Sequence, residues 1–124
     1  MRRIFLIDNN QTMANLTRTA LVNKGYDVGV FQDAKKAIEI ADQQMPDLIV
    51  MDIMLPQQSE GEAAQALSKH PNLRNIPVVF LTGLVLHDEG SENKGITIDG
   101  KNYKTLGKPY DIMQLIDIVE KSLN

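Results

Sequence analysis

The stretch RIFLIDNN, residues 3–10, decides the first element of the fold and raises a chemical question. Its apolar run, residues 4–7, resembles a strand buried on both faces and ends on one carboxylate, Asp8. Two amides, Asn9 and Asn10, follow. In open parallel sheets, ligands bind in the crevice outside the carboxyl ends of the strands. We therefore expect Asp8 to lie at a ligand crevice, where the number of charges decides what can bind.

The composition is that of a small folded protein. With 124 residues, 43% of them hydrophobic and 23% charged, the chain can bury one core, and we expect a single domain over residues 1–124. The net charge of −3 argues against a nucleic-acid surface. The absence of cysteine fits a reducing cytoplasm, and the apolar runs are far shorter than the roughly 20 residues that cross a bilayer. We expect a cytoplasmic protein with no direct nucleic-acid or membrane partner.

Short apolar runs alternate with segments of helical period, which is typical of a parallel sheet covered on both faces. We predict strands at residues 3–8, 27–31, 47–52, 78–82 and 103–107. We predict helices over residues 12–24, from Asp33 to before Pro46, over residues 61–69, and from Asp111 onward. The Asp99-Gly100 pair between the alternating runs ITI and KNY predicts a small hairpin or irregular loop in place of another helix.

The spacing of apolar residues also predicts which side chains face the core. Four residues of the first helix should pack on the sheet: Met13, Leu16, Ala20 and Leu21. Gly25 should end that helix in a left-handed conformation. Three methionines should fill the core: Met13, Met51 and Met113.

Four polar residues stand at predicted strand ends: Asp8, Asp52, Thr82 and Lys108. Taken singly, a strand-end Asp more often caps a turn or helix, and a strand-end Thr more often packs. Together they would meet at one edge of a parallel sheet. Carboxylates hold Mg²⁺ and one of them can attack phosphorus, while a hydroxyl and an ammonium can hold phosphoryl oxygens. The set suits phosphoryl transfer to an aspartate.

The motifs FLIDNN (5–10), DLIVMDIMLP (47–56), VVFLTG (78–83) and LGKPYD (106–111) together resemble the receiver domains of two-component response regulators. The resemblance covers the whole chain. It implies an α/β, flavodoxin-like, doubly wound fold whose five parallel strands lie in the order 2-1-3-4-5, with helices on both faces. It also implies Mg²⁺-dependent acceptance of a phosphoryl group from a sensor histidine kinase, by a protein that is no enzyme beyond its own phosphorylation and dephosphorylation.

The resemblance assigns a role to each matching residue. Asp52 resembles the phospho-acceptor, Thr82 the switch hydroxyl and Lys108 the phosphate-binding lysine. The metal residues would be Asp8, Asn9, Asp52 and the backbone carbonyl of Met54. The family's usual output face implies a downstream protein partner for the region 83–123, of unknown identity, and a possible homodimer.

Three departures from the family pattern stand out. Asn9 occupies the position of a second acid, so Asp8, Asp52 and Lys108 sum to −1 where an aspartate at position 9 would give −2. We therefore expect weaker Mg²⁺ binding. Thr105 replaces an aromatic residue, the nearest being Tyr103, and the segment from Thr82 to Lys108 is lengthened.

Two other functions remain open. A phosphorylation-independent pseudo-receiver would keep the fold as an interaction module, as the substitutions at Asn9 and Thr105 suggest. A haloacid-dehalogenase-type phosphohydrolase would use the aspartate of DNNQTM as nucleophile, although Asn10 replaces the second acid of that class. Phosphate uptake at Asp52 separates the receiver from both.

Overall fold

The computed structural model describes residues 2–52, 66–82, 96–98, 101–107 and 110–123. Its strands are β1 (Arg3–Ile7), β2 (Asp27–Phe31), β3 (Leu48–Asp52), β4 (Val78–Thr82), β5 (Ile96–Ile98) and β6 (Lys101–Gly107). Its helices are α1 (Gln11–Asn23), α2 (Ala34–Gln44) and α3 (Ile112–Leu123), and residues 66–69 are also helical. The start of the helix predicted over residues 61–69 lies outside the described residues. Among the helices described, none combines the length and apolar character needed to cross a bilayer.

The strands lie in the order β2-β1-β3-β4-β6-β5. Strands β2, β1, β3, β4 and β6 are parallel and correspond to the five predicted strands, so the predicted order and the flavodoxin-like fold are confirmed. β5 adds a short antiparallel strand beside β6, with Ile98 opposite Lys101. This pairing confirms the predicted hairpin, and it starts β6 at residue 101 rather than 103 because the first residues of β6 pair with β5.

The sheet separates two apolar layers, because successive side chains of a strand point to opposite faces. Residues 4–7 of β1 are at most 1% exposed, which is typical of a strand covered on both sides. Phe5 and Ile7 face α2, together with Ile49 and Met51 of β3. Ile4, Leu6 and Val50 face the opposite layer, which α1 and α3 supply with Ala14, Leu21, Leu115 and Val119.

The helices α1, α2 and α3 each begin with a side-chain cap. The Asn10 side chain accepts a hydrogen bond from the backbone of Met13 (3.1 Å), and Asp33, the predicted start of the second helix, caps α2. The Asp111 carboxylate caps α3, and the backbone N–H of Asp111 donates to Gln114 Oε1 (2.9 Å), a reciprocal capping box. The predicted left-handed Gly25 is confirmed, with φ of 97°.

The predicted face of α1 is wrong at Leu16, whose side chain is 57% exposed. The residues that pack on the sheet are Ala14, Thr17 and Leu21, so only Leu21 of the predicted set is fully buried. Each residue turns a helix by about 100°, which places Leu16 nearly opposite Ala14. Met113 is likewise 64% exposed rather than in the core, whereas Met51 is buried as predicted.

The same substitution at two positions of α1 tests this assignment. Leu21→Ala should lower the free energy of unfolding by roughly 2 to 5 kcal/mol, because it leaves a cavity in the core. Leu16→Ala should change it by no more than about 0.5 kcal/mol, because the side chain lies at the surface. Urea unfolding of both variants measures the difference, and equal losses would contradict the observed orientation of α1.

The end of α2 offers a second test, because Met45 has φ of 50° while its side chain is 47% exposed. A left-handed conformation strains any residue that carries a Cβ. The free energy of unfolding should therefore be about 1 kcal/mol higher for Met45→Gly than for Met45→Ala. The alanine variant is the matched control because both substitutions remove the same side chain. A glycine variant no more stable than the alanine variant would contradict the assigned conformation.

Candidate functional site

The register of the parallel strands brings two predicted site residues together. Ile7 of β1 lies opposite Met51 of β3. Asp8 and Asp52 each follow one member of this pair, so they are neighbours at the carboxyl edge of the sheet. This is the edge at which open α/β sheets bind ligands.

The same register continues across the next two strands. Asp52 lies opposite Leu81 of β4, and Thr82 lies opposite Gly107 of β6. The backbone of Thr82 is therefore at the same edge, one strand away from Asp52. Lys108 follows Gly107 in the chain. Lys108, Met54 and the side chain of Thr82 lie outside what the structure describes.

Both acids are almost completely shielded from solvent, with Asp8 1% exposed and Asp52 3% exposed. Of the acidic residues that the structure describes, these two alone are buried. Burial of a carboxylate is costly unless hydrogen bonds or a cation compensate for lost hydration. One compensating contact is the hydrogen bond that the backbone of Asn10 donates to Asp8 Oδ1 at 2.9 Å. Two buried acids at a sheet edge indicate a functional site rather than a surface turn.

The two amides that follow Asp8 have different positions. Asn10 is the N-cap of α1, since its side-chain oxygen accepts from Met13 and its carbonyl accepts from Ala14 at 2.9 Å. Asn10 therefore belongs to the helix. Asn9 is exposed beside Asp8, with no such capping role. Of the two amides, Asn10 is the one whose side-chain oxygen is engaged in capping α1.

The donors at this edge fit a hard cation. Carboxylate and amide oxygens are the ligands that Mg²⁺ accepts, and it usually keeps several waters besides one or two carboxylates. Asp8 and Asp52 supply two carboxylates, and Asn9 can supply an amide oxygen. Within the described ranges, nowhere do three or more histidine or acidic side chains gather around a common point. The donor set is therefore compatible with Mg²⁺ and carries one charge less than a set of three acids.

The aromatic residue nearest to position 105 lies deeper in the sheet. Tyr103 is 3% exposed and packs edge-on against Phe80, with ring centroids 5.4 Å apart. Thr105, which is 4% exposed, lies opposite Phe80 on the same face of β6. Tyr103 is thus a core residue two positions further from the carboxyl edge. On this face of β6, the position nearer the carboxyl edge therefore carries the small side chain of Thr105 in place of an aromatic ring.

Sequence reasoning missed one contact next to the site. The hydroxyls of Thr17 and Tyr110 are 3.0 Å apart, and Thr17 is 1% exposed. This hydrogen bond joins α1 to the segment that follows Lys108. A signal was present in the sequence: Thr17 lies between Ala14 and Leu21 at helical spacing, and a hydroxyl at a core-facing position needs a polar partner.

Comparison with known proteins agrees with this geometry. The model of the response regulator receiver domain family matches residues 4–120. The regulatory protein VanR of Enterococcus faecium is 33% identical over 122 residues, an alignment that covers 98% of this chain and 49% of VanR. The polar-differentiation response regulator DivK of Brucella anthropi is 26% identical over 122 residues, covering 98% of this chain and 96% of DivK. The chain spans about half the length of VanR and of several other regulators it matches.

A solved structure shows the same architecture. The receiver domain of the sensor histidine kinase PA1611 from Pseudomonas aeruginosa superposes with a TM-score of 0.82 at 24% identity, covering 98% of this chain and 97% of that one. In that protein a magnesium ion is coordinated in the active-site cleft. The strand order, the two buried acids at the carboxyl edge and the family match lead to one conclusion. The chain belongs to the response regulator receiver domain family.

Proposed function

We propose that this chain is a phospho-accepting signalling receiver that takes a phosphoryl group from a sensor histidine kinase onto Asp52. The observation that carries the proposal is the burial of Asp52 beside Asp8, at neighbouring strand ends of the carboxyl edge. A carboxylate in this position can act as a nucleophile toward phosphorus. The retention of Thr82 and Lys108 at the two following strand ends supports the same reaction.

In the proposed reaction, a carboxylate oxygen of Asp52 attacks the phosphorus of a phosphohistidine. The new P–O bond forms as the P–N bond breaks, and the departing imidazole nitrogen takes the electron pair of that bond. Asp52 becomes an acyl phosphate, and the kinase histidine becomes neutral once its leaving nitrogen is protonated. Catalysis of this kind depends mainly on positioning and on stabilising charge at the phosphoryl oxygens.

The remaining site residues have supporting roles in this proposal. Asp8, Asp52, the Asn9 amide and the backbone carbonyl of Met54 would hold Mg²⁺, which when bound offsets the negative charge of the phosphoryl group. The Thr82 hydroxyl and the Lys108 ammonium would each hold a phosphoryl oxygen. Asp8 is oriented for this task by the hydrogen bond from the backbone of Asn10.

The proposed consequence of phosphorylation is a change in protein association. An acyl phosphate at the edge would bias an existing conformational equilibrium and so alter a surface in the region 83–123. We propose that the partner is a downstream protein or a second copy of the chain, that the domain spans residues 1–124, and that it acts in the cytoplasm. Its own phosphorylation and dephosphorylation would be its only chemistry.

A pseudo-receiver is the second candidate, and two observations favour it. Asn9 leaves the site with one acid fewer, and Tyr103 is packed against Phe80 rather than placed near the edge. Such a protein would bind its partner without phosphate. The phosphohydrolase alternative has less support, because Asn10, which replaces the second acid of that class, caps α1.

Intact-mass measurement after incubation with acetyl phosphate and Mg²⁺ tests the proposed function. We expect a gain of one phosphoryl group that disappears when Mg²⁺ is chelated. Asp52→Asn is the matched control, since it keeps the size of the side chain and removes the nucleophilic carboxylate. No gain by the parent chain at high Mg²⁺ would favour the pseudo-receiver, and a gain by Asp52→Asn would place the phosphoryl group elsewhere.

The substitution Asn9→Asp tests the role of the exposed amide. It should tighten Mg²⁺ binding by about tenfold or more, because an added carboxylate both ligates the cation and attracts its charge. Calorimetric titration with Mg²⁺ measures the affinities. Asn75→Asp is the matched control, since Asn75 is exposed and precedes β4 at the opposite edge of the sheet. Equal affinities of parent and Asn9→Asp would show that position 9 does not contact the metal.

A further inference from the structure

We propose that the hydrogen bond between Tyr110 and Thr17 holds Lys108 in position for phosphoryl transfer, which makes Tyr110 and Thr17 positioning residues. This inference rests on the proposed function, in which Lys108 contacts the phosphoryl group. It gives a role to a long-range polar contact that neither helix formation nor sheet pairing requires.

The contact is well defined. Tyr110 Oη and Thr17 Oγ1 lie 3.0 Å apart although the two residues are separated by 93 positions in the chain. Thr17 is 1% exposed, and the Tyr110 ring packs against the apolar layer beneath α1 and α3. A hydroxyl this deeply buried is costly to leave without a partner. The two side chains therefore hold one another in place.

The position of Tyr110 matters because of what precedes it. Gly107 is held at the end of β6 by its pairing with Thr82 of β4. Only Lys108 and Pro109 lie between Gly107 and Tyr110. Since consecutive Cα atoms are about 3.8 Å apart, a two-residue connection limits how far apart its ends can lie. Lys108 therefore lies in the chain between two residues, Gly107 and Tyr110, that are both held by described contacts.

The partner of Tyr110 lies on the helix that also supports the acidic side of the site. Asp8 Oδ1 accepts from the backbone of Asn10, and Asn10 caps α1. Thr17 follows on the same helix, roughly two turns further along. One rigid element is thus joined to Asp8 at its start and to the Lys108 segment near its middle. Loss of the hydroxyl contact would loosen the position of the lysine relative to the two acids.

Tyr110→Phe isolates this contact, because it removes the hydroxyl and keeps the ring. We expect the maximal rate of phosphoryl uptake from acetyl phosphate to fall about threefold to tenfold, less than the roughly hundredfold that a displacement of 1 Å can cause. Thr17→Val should slow uptake to a similar extent. The double variant should be no slower than the slower single variant, since each removes the same interaction.

Two matched controls separate this effect from a general loss of a hydroxyl. Tyr26→Phe makes the same change in a tyrosine that packs on the same apolar layer but lies just before β2, at the amino-terminal edge of the sheet. Thr19→Val makes the same change at an exposed position of α1. Both should take up phosphate at the parent rate.

Repeating the comparison in a Lys108→Ala background tests whether the effect passes through the lysine. In that background Tyr110→Phe should cause no further slowing, whereas a merely structural role would slow both backgrounds equally. This inference would be overturned if Tyr110→Phe slowed uptake equally in both backgrounds, or if it took up phosphate at the parent rate with Lys108 present. Either result would leave the proposed function unaffected. No uptake by the parent chain would overturn the proposed function and this inference with it.

Discussion

The parallel pairing of β1 with β3 is the interaction on which the site depends. With Ile7 opposite Met51, the next residue of each strand is one of the two buried acids. At the other end of β1, the backbone of Arg3 donates to Asp47 Oδ2 at 2.8 Å, which supports this register. The Arg3 guanidinium meets Asp27 at 2.9 Å, which supports the pairing of β1 with β2. Further along, the ring of Phe5 packs against that of Phe31 of β2, with ring centroids 4.7 Å apart. Polar contacts and ring packing therefore help to align β1 with its two neighbouring strands.

The site combines burial with a reduced charge. Two carboxylates at neighbouring strand ends repel one another, and burial strengthens that repulsion because water no longer screens it. An asparagine at position 9 avoids adding a third negative charge to this edge. In the proposed Mg²⁺ site, a carboxylate at position 9 would attract the cation more strongly than the amide does, and it would add repulsion between the buried acids when no cation is bound. Metal affinity and stability without metal would therefore be opposed at this position.

Small side chains on α1 allow a contact between this helix and the segment that follows Lys108. Ala14 and Thr17 face the sheet where a larger residue would hold the helix further away. Close packing brings the Thr17 hydroxyl within hydrogen-bonding distance of Tyr110. On the opposite layer, Tyr103 and Phe80 form an edge-to-face contact that fixes the aromatic ring of β6 in the core. The two faces of the sheet thus restrain the last parallel strand in different ways.

The sequence by itself determined the features that local chemistry encodes. Buried apolar runs, the capping residue Asp33 and the Asp99-Gly100 pair predict the five parallel strands, the start of α2, and a hairpin or irregular loop. They also predict that Asp8 and Asp52 lie at one edge of the sheet, because the carboxyl ends of parallel strands share an edge.

Tertiary structure alone decided what depends on long-range contacts. The spacing of apolar residues does not show that Leu16 and Met113 are exposed, because several faces of an apolar helix satisfy the same periodicity until the sheet selects one. Nor does it show that the partner of the Thr17 hydroxyl is Tyr110, which is 93 positions away in the chain. Those outcomes follow from the packing of segments that are distant in the chain, and no local pattern contains that information.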